Sequence, residues 1–187
     1  MEQKKELTKK LIAQGFKELM EHYPFEKITI KMISDAAGII RPTFYHHYRD
    51  KYELVEWIFY HDVIKEVQNL LDYGMRQEAV KLLLASMKEE QSYYRKIFNQ
   101  TGQNSFEEVM RKYIYDMLLT QFQRGKIKSD NPILTSERIA EYYTFNLTIC
   151  IKQWILNRDE EFSIDEMMDA YEFLIKHSAF ELMNPDP

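Results

Sequence analysis

The chain has 187 residues, enough for one large domain or two small ones around a real core, and its 45% hydrophobic and 29% charged residues exclude a disordered chain. The single cysteine, Cys150, excludes an internal disulfide and fits a reducing cytoplasm. A formal net charge of −5 excludes a chain that is basic throughout, although residues 1–50 carry nine Lys+Arg against seven Asp+Glu and the remainder sixteen against twenty-three. A mildly basic head on an acidic body can hold nucleic acid with one end and repel it with the other.

The first residues, MEQKKELTKK, lack an apolar run, so no signal peptide is expected. Residues 4–22 then carry Leu7, Leu11, Ile12, Phe16, Leu19 and Met20 at helical spacing. Lys4, Lys5, Lys9 and Lys10 cluster at the start of this helix, within reach of a DNA backbone, though each alone reads as a solvated face. Pro24 closes the helix, and Phe25 and Ile28 tuck the connection inward. Thr29 is a good N-cap for a short helix through Met32, Ile33 and Ala36, because its side-chain oxygen can accept from a free amide of the first turn. Ala37-Gly38 ends that helix, glycine entering the left-handed region without a side-chain clash. A second short helix follows, with Pro42 in its first turn, where a missing N–H costs nothing. Phe44 and Tyr48, four apart, face the interior and leave Arg41, Thr43, Tyr45, His46 and His47 outside. Asp50 caps the next helix, with Glu53 as its capping-box partner.

Two helices crossing through a glycine turn form a helix-turn-helix, whose second helix can lie in a DNA major groove. The alternation over residues 28–33 also suits a strand, but Thr29, the Ala36-Ala37 pair and the lack of a neighbouring strand pattern oppose it. An ordinary helical hairpin fits the turn as well. Against it stands the outward set: an arginine, a threonine, a tyrosine and two histidines make a poor core face but can reach phosphates and base edges.

Ala37-Gly38, Thr43-Phe44-Tyr45-His46-His47-Tyr48 and Lys51-Tyr52-Glu53-Leu54 together resemble the signature of the TetR family of bacterial transcriptional regulators. The resemblance runs back through Ala13, Phe16, Leu19 and Met20 and covers roughly the first third of the chain. It implies an N-terminal DNA-binding head, here residues 5–65, and a C-terminal regulatory and dimerisation body, residues 66–187. One departure is Ile40, where the family often has a small polar residue that caps the recognition helix. Arg41 is the best base reader, and Thr43 and Tyr45 can meet a thymine methyl or a phosphate. The resemblance favours phosphate contacts from Tyr45, His47 and Lys51; Thr29, Lys31, Pro42 and His46 complete the expected DNA-facing set.

A helix from Lys51 to about Leu71, with Leu54, Trp57, Ile58, Ile64 and Val67 inward, is expected to join head and body. After Gly74, helical patterns recur at 77–89 and 92–99, residues 101–105 read as a turn with a cap, and a periodic helix runs from Phe106 towards Gly125. Residues 126–132 read as a polar loop. The stretch 135–157 is apolar nearly all round, with Ile139, Tyr142, Tyr143, Phe145, Leu147, Ile149, Trp154 and Ile155, and needs cover on more than one side. Its polar interruptions, Glu141, Asn146, Lys152 and Gln153, exclude a membrane span. Ser163-Ile164-Asp165-Glu166 is a capping box for the last helix. No strand is expected, so the fold class is all-α. Residues 94–98, 102–106 and 151–155 are similar to a subgroup resembling regulators of dihydroxyacetone kinase genes, which makes an activator working with a protein co-regulator the alternative to a ligand-responsive repressor.

The five histidines show no zinc-site spacing with cysteine, and no phosphate-binding glycine loop is present. No base and orienting acid accompany Cys150, which sits in an apolar helix as an inert thiol. Acidic pairs such as Glu107-Glu108 and Glu160-Glu161 read as solvated surface. Neither enzyme, cofactor nor metal site is expected. A helical dimeric adaptor that does not read DNA is the rival, separated by whether the protein retards DNA. Two further sites are expected. Asn146 and Gln153, seven apart in an apolar helix, suggest an effector pocket together with Tyr113, Met117 and Cys150, although such amides could instead bond each other across a dimer. Ile164, Met168, Tyr171, Ile175 and Leu182 form an apolar seam expected to pair two copies into a four-helix homodimer interface on a palindromic operator.

Overall fold

A computed structural model of the chain describes residues 2–100, 105–125, 131–157 and 162–183, and it is all-α, with no strand among the described residues. Helix α1 spans Glu2–His22, and after a 3-10 turn at Phe25–Lys27 the pair α2 (Ile30–Ala36) and α3 (Arg41–His47) forms the helix-turn-helix. Ile12, Phe16 and Met20 of α1 are fully buried, but Leu7 and Leu11 are exposed, contrary to expectation. Leu7 and Phe16 are nine residues apart; at about 100° per residue that puts them on opposite faces of α1. Thr29 caps α2, accepting from the Met32 amide at 3.2 Å. Gly38 takes φ +65°, letting the Ile39 amide turn back to the Ser34 carbonyl at 2.9 Å. Ile40 supplies no side-chain cap to α3, whose first turn is closed by backbone alone, Thr43 N–H to Ile40 O at 2.9 Å.

Asp50 caps α4 (Lys51–Phe59), accepting from the amides of Tyr52 and Glu53 at 2.8 and 2.9 Å. The expected box is only half formed: the Glu53 carboxylate accepts from the Arg49 amide at 2.7 Å rather than from that of Asp50. The helix expected to run from Lys51 to Leu71 is not uniform. A π-helical turn, Tyr60–Ile64, separates α4 from α5 (Lys65–Asp72). The pairs Ile58/Val63 and Phe59/Ile64 are five apart and all four are buried; in a plain α-helix each pair would diverge by about 140°, so the wider turn keeps both on the core side.

Helices α6 (Arg76–Glu89), α7 (Gln91–Phe98), α8 (Phe106–Arg124), α9 (Ser136–Leu156), α10 (Ile164–Lys176) and α11 (Ala179–Met183) build the body. Of the turn expected at 101–105 only Ser105 is described, and it caps α8; 101–104, most of the 126–132 loop and Glu160-Glu161 lie outside the described residues. The Ser163 capping box is complete, with Ser163 N–H to Glu166 at 2.7 Å and Glu166 N–H to Ser163 at 3.1 Å. Helix α9 is apolar on both faces, as expected, but this protomer covers only one of them. Leu147, Ile151, Trp154 and Ile155 are buried, while Tyr142, Phe145 and Ile149 point outward. The core is continuous from head to body: Phe16 of α1 meets Tyr93 of α7 edge-on at 6.3 Å, and Phe59 of α4 meets Phe106 of α8 at 5.0 Å.

Candidate nucleic-acid interface

Helix α3 is anchored by Phe44 and Tyr48, both buried, whose rings lie 5.7 Å apart. With that side locked, Arg41, Pro42, Tyr45 and His46 are exposed and Thr43 and His47 half-buried. Arg41 makes no ion pair or hydrogen bond among the described residues, so its guanidinium is available for a bidentate contact. Thr29 and Lys31, at the start of α2, are exposed as well. Of the nine expected DNA-facing residues, the two helices therefore offer eight as accessible or partly accessible groups.

Lys51 departs from its expected role. Its ammonium donates to the carbonyls of Phe25 at 2.7 Å and Ile28 at 3.0 Å and sits 4.2 Å from the centre of the Phe25 ring. Burial draws its pKa down despite Glu26 nearby. The residue clamps the turn between α1 and α2 onto α4, leaving little of its charge for a phosphate. His47 differs from its neighbour too. Burial, then His46, Lys9 and Lys5, lower its pKa, so the imidazole is neutral at neutral pH and would contribute a hydrogen bond, not a charge. Its buried Nδ1 has no partner among the described residues. Of the four lysines opening α1, Lys9 packs closest to this region, with its ammonium 5.7 Å from the Tyr48 ring centre and 5.6 Å from that of Trp57. Only the folded arrangement singles it out, since the sequence shows four equivalent lysines.

The residues expected to line an effector pocket are not brought together. Met117 is buried and Tyr113 half-buried, its hydroxyl donating to Glu56 of α4 at 3.2 Å; burial and Glu56 push that hydroxyl up to about 12. Asn146 and Gln153 are exposed on the outer face of α9, and the Asn146 amide donates to the Tyr142 carbonyl of its own helix at 2.7 Å. Neither amide is buried, contrary to expectation, because sequence periodicity does not reveal which side of α9 is inside. Cys150 is half-buried, its thiol pushed up by burial. A groove of about 610 Å³ lies instead between α8 and α9, lined by Glu108, Arg111, Lys112, Tyr115, Glu141, Thr144 and Phe145. Lys112 on its rim pairs with Glu56 at 3.5 Å, and the buried Thr144 hydroxyl has no partner among the described residues.

The expected dimer seam is split. Ile164, Met168 and Tyr171 pack half-buried against their own core, whereas Ile175 and Leu182 are exposed, together with Phe173, Leu174, Phe180 and Met183. No cluster able to hold a metal ion occurs among the described residues, and no helix there is long and apolar enough to cross a membrane.

Comparison with known proteins matches residues 12–58 to the family described as bacterial regulatory proteins, tetR family, and residues 76–177 to a transcriptional regulator C-terminal region. The chain is 37% identical over 92 residues to the HTH-type dhaKLM operon transcriptional activator DhaS of Lactococcus lactis subsp. lactis (strain IL1403), a match covering 49% of each, so it spans about half the length of that curated relative. Among solved structures it resembles the dihydroxyacetone kinase operon activator DhaS, with a TM-score of 0.65 and 25% identity over 90% of this chain and 92% of that one. The fold is also similar to NalD, the secondary repressor of the MexAB-OprM multidrug efflux pump in Pseudomonas aeruginosa, with a TM-score of 0.63 and 16% identity over 91% and 96% of the two chains.

Proposed function

The chain belongs to the TetR family of bacterial regulatory proteins and is a DNA-binding transcriptional regulator, and we propose that it works as a homodimer on a palindromic operator under the control of a small-molecule effector. The observation that carries this reading is the solvent-facing row of α3. Arg41 reads a guanine edge, Tyr45 and His46 reach phosphates or neighbouring bases, and Thr29 and Lys31 steady the approach from α2. Two copies related by a two-fold axis give two such helices and hence an inverted repeat. The dimer face is the outer side of α9 with the ends of α10 and α11, where Tyr142, Phe145, Ile149, Leu174, Ile175 and Leu182 leave apolar surface exposed.

An effector acts only if it binds the DNA-competent and DNA-incompetent arrangements with different affinity. The α8–α9 groove supports that role better than the Asn146 face does, since Lys112 on its rim also holds Glu56 of the linking helix. Repression is the first reading of the sign. Activation is the second, favoured by the likeness to an operon activator across most of the chain. Selection of bound genomic fragments followed by sequencing tests the proposal. The expected product is a single inverted-repeat sequence; recovery of fragments without any shared sequence would contradict it. Transcription from the selected promoter, with and without the protein, then gives the sign.

A further inference from the structure

Lys17 lies on α1, two residues beyond Gly15, where that helix crosses α2, and its side chain is only 19% exposed. Its single ammonium is shared between two carboxylates from different parts of the molecule. Asp62, inside the π-turn, lies 2.6 Å away, and both oxygens of Glu90, at the corner between α6 and α7, lie at 2.6 and 2.7 Å. The ring of Tyr93 is beneath it at 5.5 Å, and the buried hydroxyls of Tyr93 and Tyr94 have no partner among the described residues. Burial pulls the ammonium down, but the hydrogen bonds and charges of Asp62 and Glu90 outweigh it and hold the pKa above its ordinary value. Two oxygens each 2.6 Å from one nitrogen are within about 5 Å of each other, a distance at which like charges in a partly desolvated site repel strongly.

We propose that Lys17 is a positioning residue that couples the DNA-binding head to the body, acting as the charge that lets the linking helix and the α6–α7 corner close on α1. A second tie makes the idea testable in a folded protein. Lys96 of α7 donates to the carbonyls of Met20 and Glu21, the latter at 2.8 Å, and Phe16 remains buried against Tyr93. Loss of the Lys17 charge therefore leaves α1 docked at its end but frees the angle between α1 and the linking helix.

The coupling has a signature that packing alone would not produce. In Lys17→Met, Asp62 and Glu90 face each other without a cation. Removing their charges as well, in Lys17→Met/Asp62→Asn/Glu90→Gln, relieves the repulsion. In hydrogen exchange of the full-length protein followed by mass spectrometry, amides of residues 15–22 and 57–64 should exchange at least tenfold faster in Lys17→Met. They should remain near wild type in Lys17→Arg and return towards wild type in the triple variant. Affinity for the selected operator should fall more than tenfold in Lys17→Met and recover in the triple variant. Wild-type exchange in Lys17→Met, or a triple variant no better protected than the single one, would overturn the proposal. The exchange arm uses no DNA, so a failure of the coupling and a failure of the regulator reading are distinguishable.

Discussion

Arg41 and Lys51 stand ten positions apart in one short segment, and their charges meet opposite fates. The Arg41 guanidinium is exposed and free of intramolecular partners among the described residues, while the Lys51 ammonium is spent on the backbone carbonyls of Phe25, Glu26 and Ile28 and an aromatic face. Arg41→Ala should cost about 1–3 kcal/mol on the selected operator and far less on random DNA. Lys51→Met should instead lower unfolding stability by about 1–3 kcal/mol, as expected for losing hydrogen bonds from a charged donor, and leave the salt dependence of DNA binding unchanged. Denaturant titration and salt-dependent binding of both variants distinguish the roles; a Lys51→Met protein of full stability with a shallower salt slope would return Lys51 to the phosphate. Residue chemistry was legible in the sequence where a local pattern fixed the orientation, as for Phe44 and Tyr48 four apart. It was illegible for Lys51, whose partners lie more than twenty residues back, and for Asn146, whose helix is apolar on both faces.

At the scale of elements, the caps were readable because each uses groups within three or four residues: Thr29, Asp50, Ser105 and Ser163 all accept from the helix that they begin. The π-turn was not, since one extra residue in a long apolar helix leaves the periodicity nearly intact over any short window. Gly15 shows a second limit. In the sequence it is an ordinary mid-helix glycine, but in the fold it marks the crossing of α1 over α2. A Cβ there would lie 3.1 Å from the Ala37 nitrogen and 3.2 Å from the Ala36 carbonyl carbon. Gly15→Ala gains up to about 1 kcal/mol of helix propensity, and the backbone contact should cost about 1–3 kcal/mol through overpacking. The contacting atoms are main chain and the Ala36 Cβ, which is fixed to it, so none can swing aside and the steric cost should win. Thermal melts should show a net loss for Gly15→Ala, and DNA affinity should fall with it as α2 and α3 are pushed off α1; a raised melting temperature would mean that the crossing yields.

On the scale of the whole molecule, the outer face of α9 and the ends of α10 and α11 leave more large apolar side chains in solvent than a lone protomer needs. Ile175→Asp should shift the protein from dimer to monomer in sedimentation at micromolar concentration and weaken operator binding together with it, because two linked half-sites reinforce each other. A monomer that still holds the operator tightly would exclude the two-fold arrangement. The all-α architecture and the DNA-binding head were legible from periodicity, caps and the resemblance of one segment. The split of the apolar seam was not: Ile164, Met168 and Tyr171 have the same spacing as residues that pair across a dimer, and only the position of α6 beside α10 draws them inward.

The shared core also bears on how such a molecule can be rebuilt. The inner face of α1 is completed by α7, through the ring of Tyr93 against Phe16 and the ammonium of Lys96 on the last carbonyls of α1. A chimera that spliced a foreign sensor behind residue 72 would strip Phe16 and leave those carbonyls unmet, unless the graft carried an aromatic side chain and a lysine at the matching places. Retargeting is better done by rewriting the solvent-facing letters of α3 in place, where Arg41, Tyr45 and His46 are exposed, provided that position 45 keeps a ring to meet the buried Phe44 edge-on, as Tyr45 does at 5.7 Å.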